Sequence, residues 1–144
     1  MRSFFLALAL SLASAVPASG QGALTCGAAP DSWPLFEQLK AHFKDAEYRA
    51  FLENSGPMLA HEIENYEAYF GVMDELFPEG FHQCQTVLVR EEKPAFRQEI
   101  IMYFRDDMRG PITLLLTGVV IRGSAQLVYF NYNSTVTAVL DELR

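Results

Sequence analysis

The chain is poor in cysteine, in tryptophan and in positive charge. Its 144 residues include 2 Cys and 1 Trp, and 11 Lys and Arg stand against 18 Asp and Glu, for a formal net charge of −7. An acidic chain repels phosphate backbones, whereas nucleic-acid binding depends on basic residues. The composition therefore argues against nucleic-acid binding.

Long apolar runs are also scarce. The longest one beyond the N-terminus, residues 112–121, is interrupted by Arg122-Gly123-Ser124. A helix of roughly ten residues rises about 15 Å, which is half the hydrocarbon thickness of a bilayer. We therefore expect no membrane span in the mature chain, and we interpret residues 112–132 as a buried β-hairpin that turns at Gly123-Ser124.

The N-terminus has the pattern of a secretory signal peptide. Arg2 precedes an apolar run over residues 4–12, and small residues follow up to Gly20. This layout predicts a signal peptide over residues 1–20, cleaved after Gly20 or after Ala15 or Ala18. We expect an exported protein, periplasmic or extracellular, with a single domain over residues 21–144. Loss of Arg2 would take its charge from −7 to −8.

Cys26 and Cys84 both fall in the predicted mature chain. An even cysteine count in an oxidising compartment predicts a disulfide between them. A reactive or metal-binding thiol is the alternative.

The chain changes from helical to strand periodicity near residue 80. Apolar spacing predicts helices over residues 32–44 and from Asp45 to Gly56, and then one long helix from Pro57 to Phe77 with a kink or break at Gly71. The stripe of this third helix is spaced by three and four residues: Leu59, Ile63, Tyr66, Phe70, Met73 and Phe77.

Strand alternation follows over residues 83–90 and 96–105. In the second strand, alternation predicts a core face with Ile100 and Phe104 and a solvent face with Arg97 and Glu99. Residues 133–144 are interpreted as a short helix, with a further strand as the alternative. The sequence Asn133-Ser134-Thr135 matches a glycosylation acceptor, which matters only in a source that glycosylates exported chains.

These elements predict the α+β class: about three N-terminal helices packed on a curved antiparallel meander of four to five strands. The layout resembles the cone-shaped NTF2-like and cystatin-like architectures, in which a helix crosses a bent sheet and leaves a pocket. The resemblance is architectural, without a family motif, and it implies a pocket rather than an activity.

Catalytic and metal motifs are missing from the sequence. The histidines have no metal-ligand spacing, and neither a Gly-x-Ser-x-Gly elbow nor a phosphate-binding glycine loop occurs. We expect no metal and no cofactor, and an enzyme is less favoured than a binding protein. His82, at the entry to the first strand, is the one candidate catalytic base.

Aromatic residues alternate along the last predicted strand and are typical of cross-strand packing. The alternative is a ligand or partner face, since tyrosine has an apolar ring and a polar hydroxyl and is common at binding surfaces that border on solvent. Polar groups would then orient a ligand in a mostly apolar site. The candidate ligand-binding residues are Gln98, Tyr103, Thr113, Thr117, Tyr129 and Asn131.

The leading hypothesis is a small exported, non-catalytic binding or accessory protein that acts through a pocket or a sheet face, on a small apolar ligand or a protein partner. One alternative is a pocket enzyme of the NTF2-like kind acting on a small apolar substrate. The other is an oligomeric structural component, such as a homodimer, whose interface is the sheet face.

Overall fold

A computed structural model describes residues 25–27 and 31–143. The predicted signal peptide lies outside the described residues. The N-terminal half forms α1 (Pro34–Lys44), α2 (Tyr48–Asn54), a 3₁₀ segment (Pro57–Asn65) and α3 (Tyr66–Leu76). Then come β1 (Gln83–Glu92), β2 (Phe96–Phe104), β3 (Ile112–Ile121), β4 (Ser124–Asn133), α4 (Val136–Leu140) and a 3₁₀ turn (Asp141–Leu143). The predicted α+β class is confirmed.

The strands form one open antiparallel sheet in the order β1-β2-β3-β4, so each strand pairs with its neighbour in sequence. Helix α1 packs on one face, which we call the helix face. Helix α4 and the turn Asp141–Leu143, together the C-terminal segment, pack on the opposite face. The C-terminal helix is thus confirmed, and the central strand β3 is buried on both faces over residues 112–118, as its apolar sequence predicted.

Helix α1 approaches the sheet closely at Gly118. Phe36, Leu39 and Phe43 are fully buried beneath the helix. A Cβ atom at Gly118 would lie 2.8 Å from Phe36 Cε1 and 3.0 Å from Trp33 Cζ3. Only glycine at position 118 therefore allows α1 to pack this closely on the sheet.

The prediction of one continuous helix from Pro57 to Phe77 is wrong. A 3₁₀ segment ends at Asn65 and an α-helix begins at Tyr66, whereas Gly71 lies inside regular helix. The 3₁₀ segment packs against both β4 and α2, and these tertiary contacts cannot be read from the spacing of apolar residues. The predicted apolar stripe still packs against the core on both sides of the break.

The prediction of a solvent face on β2 is also wrong. Arg97 and Glu99 are fully buried on the helix face. They are neutralised inside the protein, because Lys40 of α1 reaches Glu99 and Glu99 pairs with Arg97. On the other face, Ile100 is buried against Val139 of the C-terminal segment.

The hairpin between β3 and β4 turns one residue earlier than expected. Arg122 and Gly123 both have positive φ, 52° and 80°, and Ser124 already belongs to β4. Positive φ at both central residues is the mark of a type I′ turn, whose twist matches that of the flanking strands.

The predicted disulfide between Cys26 and Cys84 is confirmed. It joins the N-terminal residues to β1, and the Thr86 N–H donates to the Cys26 carbonyl at 2.7 Å. The segment around Cys26 therefore lies along the outer edge of β1. The bond spans 58 positions, for which chain entropy gives a stabilisation of about 4 kcal/mol.

Across the described ranges, 25–27 and 31–143, we find no helix with both the length and the hydropathy needed to cross a membrane.

Candidate functional site

The structure brings most of the predicted ligand residues to one face of the sheet. Gln98, Thr117 and Tyr129 are directly opposite one another on β2, β3 and β4. Gln98 Nε2 donates to Thr117 Oγ1 at 3.1 Å. They form a polar row across the face that carries the C-terminal segment.

The C-terminal segment covers this face. Val139 is buried against Ile100 and Leu115. Glu142 accepts hydrogen bonds from the Tyr129 hydroxyl and, at 2.9 Å, from Asn131 Nδ2. The predicted residues are therefore largely occupied by the chain itself.

Two polar atoms on this face are buried without a partner among the described residues, Gln98 Oε1 and Thr113 Oγ1. Both residues are more than nine-tenths buried. They are too enclosed to meet a ligand unless the C-terminal segment moves.

Tyr103 lies apart from the other predicted residues. It is on the helix face, fully buried, and its hydroxyl donates to the Lys40 carbonyl at 3.3 Å. Burial, followed by the charges of Glu37 and Glu99, raises the pKa of Tyr103 well above its ordinary value. Its contacts join β2 to α1.

His82 lies just before β1 with its side chain 58% exposed, and its Nδ1 atom is 3.4 Å from Asp106 Oδ2. The structure places it outside the groove described below. Within the described residues, we find no cluster of three His, Cys, Asp or Glu side chains able to hold a metal.

An open groove of about 410 Å³ runs beside β4, between this strand and the segment from the 3₁₀ helix to α3. This volume lies within the range of small-molecule sites. The groove is lined by Leu59, Glu62, Ala68, Tyr69, Tyr129, Phe130, Asn131 and Tyr132. Of the residues predicted from sequence, Tyr129 and Asn131 line it.

Aromatic rings dominate the groove. Tyr69 and Tyr129 are each 42% exposed, and Phe130 stacks in the aromatic core against Phe70 at 5.9 Å between ring centroids. The pKa of Tyr129 is raised to about 12 by burial and by its hydrogen bond to Glu142. These phenols stay neutral at physiological pH and present both an apolar ring and a hydroxyl.

Glu62 is the groove's own carboxylate, and its side chain is only 14% exposed. Its Oε1 atom lies 2.7 Å from His61 Nε2, whereas its Oε2 atom is buried and has no hydrogen-bond partner among the described residues. Interaction with this carboxylate raises the pKa of Tyr69. Glu62 was missed by the sequence reasoning, which assigned most acidic residues to exposed faces or turns.

A buried ion network between α1 and the sheet was missed as well. Lys40 Nζ lies 2.9 Å from Glu99 Oε2 and also pairs with Glu37. Arg97 bonds Glu99 through Nε at 2.6 Å and Glu91 through Nη1 at 3.2 Å. The network holds α1 on the sheet.

Glu37 completes the network at its outer side. Although burial raises the pKa of this carboxyl, hydrogen bonds from Lys40 and Ser32 hold it below the ordinary value. Lys40 sits beside Leu39 on the apolar side of α1, and this placement was the available sequence signal.

No protein-family model matches the chain, and neither a curated protein nor a solved structure is significantly similar to it.

Proposed function

We propose that this is a small exported binding protein that holds a small, largely apolar ligand in the groove beside β4. The observation that carries the proposal is the aromatic lining of this groove, in which Tyr69 and Tyr129 remain 42% exposed. Apolar pockets with a few polar groups are typical ligand sites, and tyrosine is suited to their rims.

The groove needs no catalytic step to explain it. Its polar groups are a carboxylate, an amide and phenols, which suit positioning of a ligand. Export is proposed from the signal-peptide pattern and is supported by the disulfide, since disulfides persist in oxidising compartments. The cone of the NTF2-like or cystatin-like kind, the pocket enzyme using His82 and the oligomeric component remain predictions.

Native mass spectrometry of protein exported through its own signal tests the proposal. We expect a bound mass that disappears on denaturation. In Ala68→Trp the new ring fills the groove from an exposed position, so this bound mass should be lost. Ala60→Trp is the matched control, because Ala60 is exposed on the neighbouring segment and does not line the groove.

A neutral apolar probe, 2-phenylethanol, tests the same groove by NMR titration. We expect shifts of the amide signals of β4 and of the segment over residues 57–69, and their loss in Ala68→Trp. Protein that carries no extra mass and shows no shifts with the probe would contradict the proposal.

A further inference from the structure

The groove contains a carboxylate, Glu62, whose charge is only partly compensated by its neighbours. Glu62 Oε2 is buried and has no partner among the described residues, while Oε1 faces His61. Burial of most of this carboxylate costs free energy, and His61 and Tyr69 compensate its charge only in part. A cation at the exposed part of the Glu62 side chain, which is 14% exposed, would offset that cost.

The surroundings of Glu62 favour a positive ligand. Described residues that line the groove include no Lys or Arg. A second carboxylate, Glu142, is held at the β4 side by Tyr129 and by Asn131, whose Nδ2 lies 2.9 Å from Glu142 Oε1. Both formal charges at this site are thus negative, as is the net charge of −7 for the whole chain.

Aromatic faces add to this preference. Tyr69, Tyr129 and Tyr132 line the groove. The ring face of tyrosine attracts a cation that lies within about 6 Å of it. A carboxylate together with aromatic rings is the chemistry that recognises an ammonium group attached to an apolar body.

We propose that the groove binds a small protonated amine, whose ammonium group pairs with the partly exposed Glu62 carboxylate and whose apolar body packs on Tyr69 and Tyr129. This inference rests on the proposed binding function and names its ligand class. We assign a free small molecule rather than a lysine side chain of a protein, because a groove of about 410 Å³ has the volume of a small-molecule site.

Matched probes test the inference by NMR titration at neutral pH. 2-Phenylethylamine is positive, 2-phenylethanol is neutral, and 3-phenylpropanoate is negative. We expect the amine to bind about tenfold more tightly than the alcohol, as hydrogen bonds to charged groups are worth more than neutral ones. The carboxylate should bind most weakly.

Glu62→Gln keeps the shape of the side chain and removes its charge. We expect it to weaken amine binding about tenfold and to leave the affinity for the alcohol unchanged, which also shows that the groove is folded. Glu64→Gln is the control, because Glu64 is exposed on the same 3₁₀ segment and does not line the groove. It should leave the amine affinity within about twofold of the unaltered protein.

The outcomes separate the inference from the function on which it rests. Alcohol binding with no preference for the amine, or equal effects of Glu62→Gln and Glu64→Gln, would overturn the amine inference and leave the binding function standing. Absence of binding by all three probes would overturn both. Tighter binding of Nα-acetyl-lysine amide than of 2-phenylethylamine would replace the free ligand by a lysine side chain of a partner.

Discussion

Lys40 Nζ on α1 lies 2.9 Å from Glu99 Oε2 on β2, and neither side chain reaches solvent. The ion pair compensates both charges for the water that they lose on burial. Arg97 adds a second contact to the same carboxylate, with its Nε atom 2.6 Å from Glu99 Oε1. A buried pair of this kind is costly to break, because the remaining charges stay buried and lose the partner that they share, keeping only Glu37 for Lys40 and Glu91 for Arg97.

Glu99→Gln tests this dependence. It leaves Lys40 and Arg97 without their shared buried carboxylate, so we expect the free energy of unfolding to fall by about 3–5 kcal/mol. Urea unfolding followed by circular dichroism measures the change. Glu53→Gln is the control, since it breaks the exposed Arg49–Glu53 pair and should cost at most about 1 kcal/mol. Similar costs for both variants would contradict the role assigned to the network.

Two glycines should respond to alanine with opposite signs. At Gly118 a Cβ would lie 2.8 Å from Phe36 Cε1, so Gly118→Ala should destabilise the protein by about 1–3 kcal/mol through overpacking. At Gly71, inside α3, the Cβ meets open space, so Gly71→Ala should stabilise it by about 0.5–1 kcal/mol. Thermal and urea unfolding of the two variants measure both effects, and a stabilised Gly118→Ala would show that α1 does not seat on the sheet as described.

Loss of the disulfide should weaken the fold substantially. The bond joins positions 58 apart, so Cys26→Ser with Cys84→Ser should lower the free energy of unfolding by about 4 kcal/mol. Urea unfolding of this double variant beside the oxidised protein measures the difference. Reduction of the unaltered protein should have the same effect, whereas an unchanged midpoint on reduction would contradict it.

Alkaline pH should destabilise the protein through its tyrosines. The chain has 6 tyrosines, and the pKa of every one is raised above 10.0, to about 12 for Tyr66 and Tyr129. Because the folded state holds these protons more tightly than the unfolded state, their contribution is complete below pH 10 and is lost as the pH rises from about 10 towards the raised values.

A near-ultraviolet absorbance titration follows these phenols as they ionise. We expect no step at the ordinary tyrosine pKa while the protein is folded, and a cooperative step as it unfolds. Tyr129→Phe removes one group and should make the fall of stability above pH 10 less steep. A phenol that ionises near 10 in the folded protein would identify a tyrosine whose surroundings differ from those described.

Sequence patterns predicted most elements but not their partners. The period-two pattern of β2 located the strand, whereas the burial of Arg97 and Glu99 depends on Lys40, which lies 59 positions from Glu99. Glu99 was assigned to solvent because Lys40, the partner that reaches it from α1, is distant in sequence. Only the place of Lys40 beside the apolar stripe of α1 hinted at the network.

The candidate site was only partly predictable, because it too depends on contacts between segments that are distant in sequence. Tyr129 and Asn131 were identified because they lie on a strand with clear alternation. Glu62 and Tyr69 were not, since the groove exists only where the 3₁₀ segment lies along β4. The change of helix type at Asn65 leaves no mark on the spacing of apolar residues.

The position of Cys26 beside β1 also bears on aggregation. An open sheet exposes two strand edges, and an uncovered edge can pair with another chain. The Ser55 carbonyl accepts from Leu127 N–H at the β4 edge, while the Cys26 carbonyl occupies Thr86 N–H at the β1 edge. The disulfide thus tethers the backbone that occupies this one edge group, next to Val87 and Val89, which are 48% and 42% exposed. A reducing environment would remove the tether, so that the Thr86 N–H could pair with a second copy of the chain beside these exposed valines.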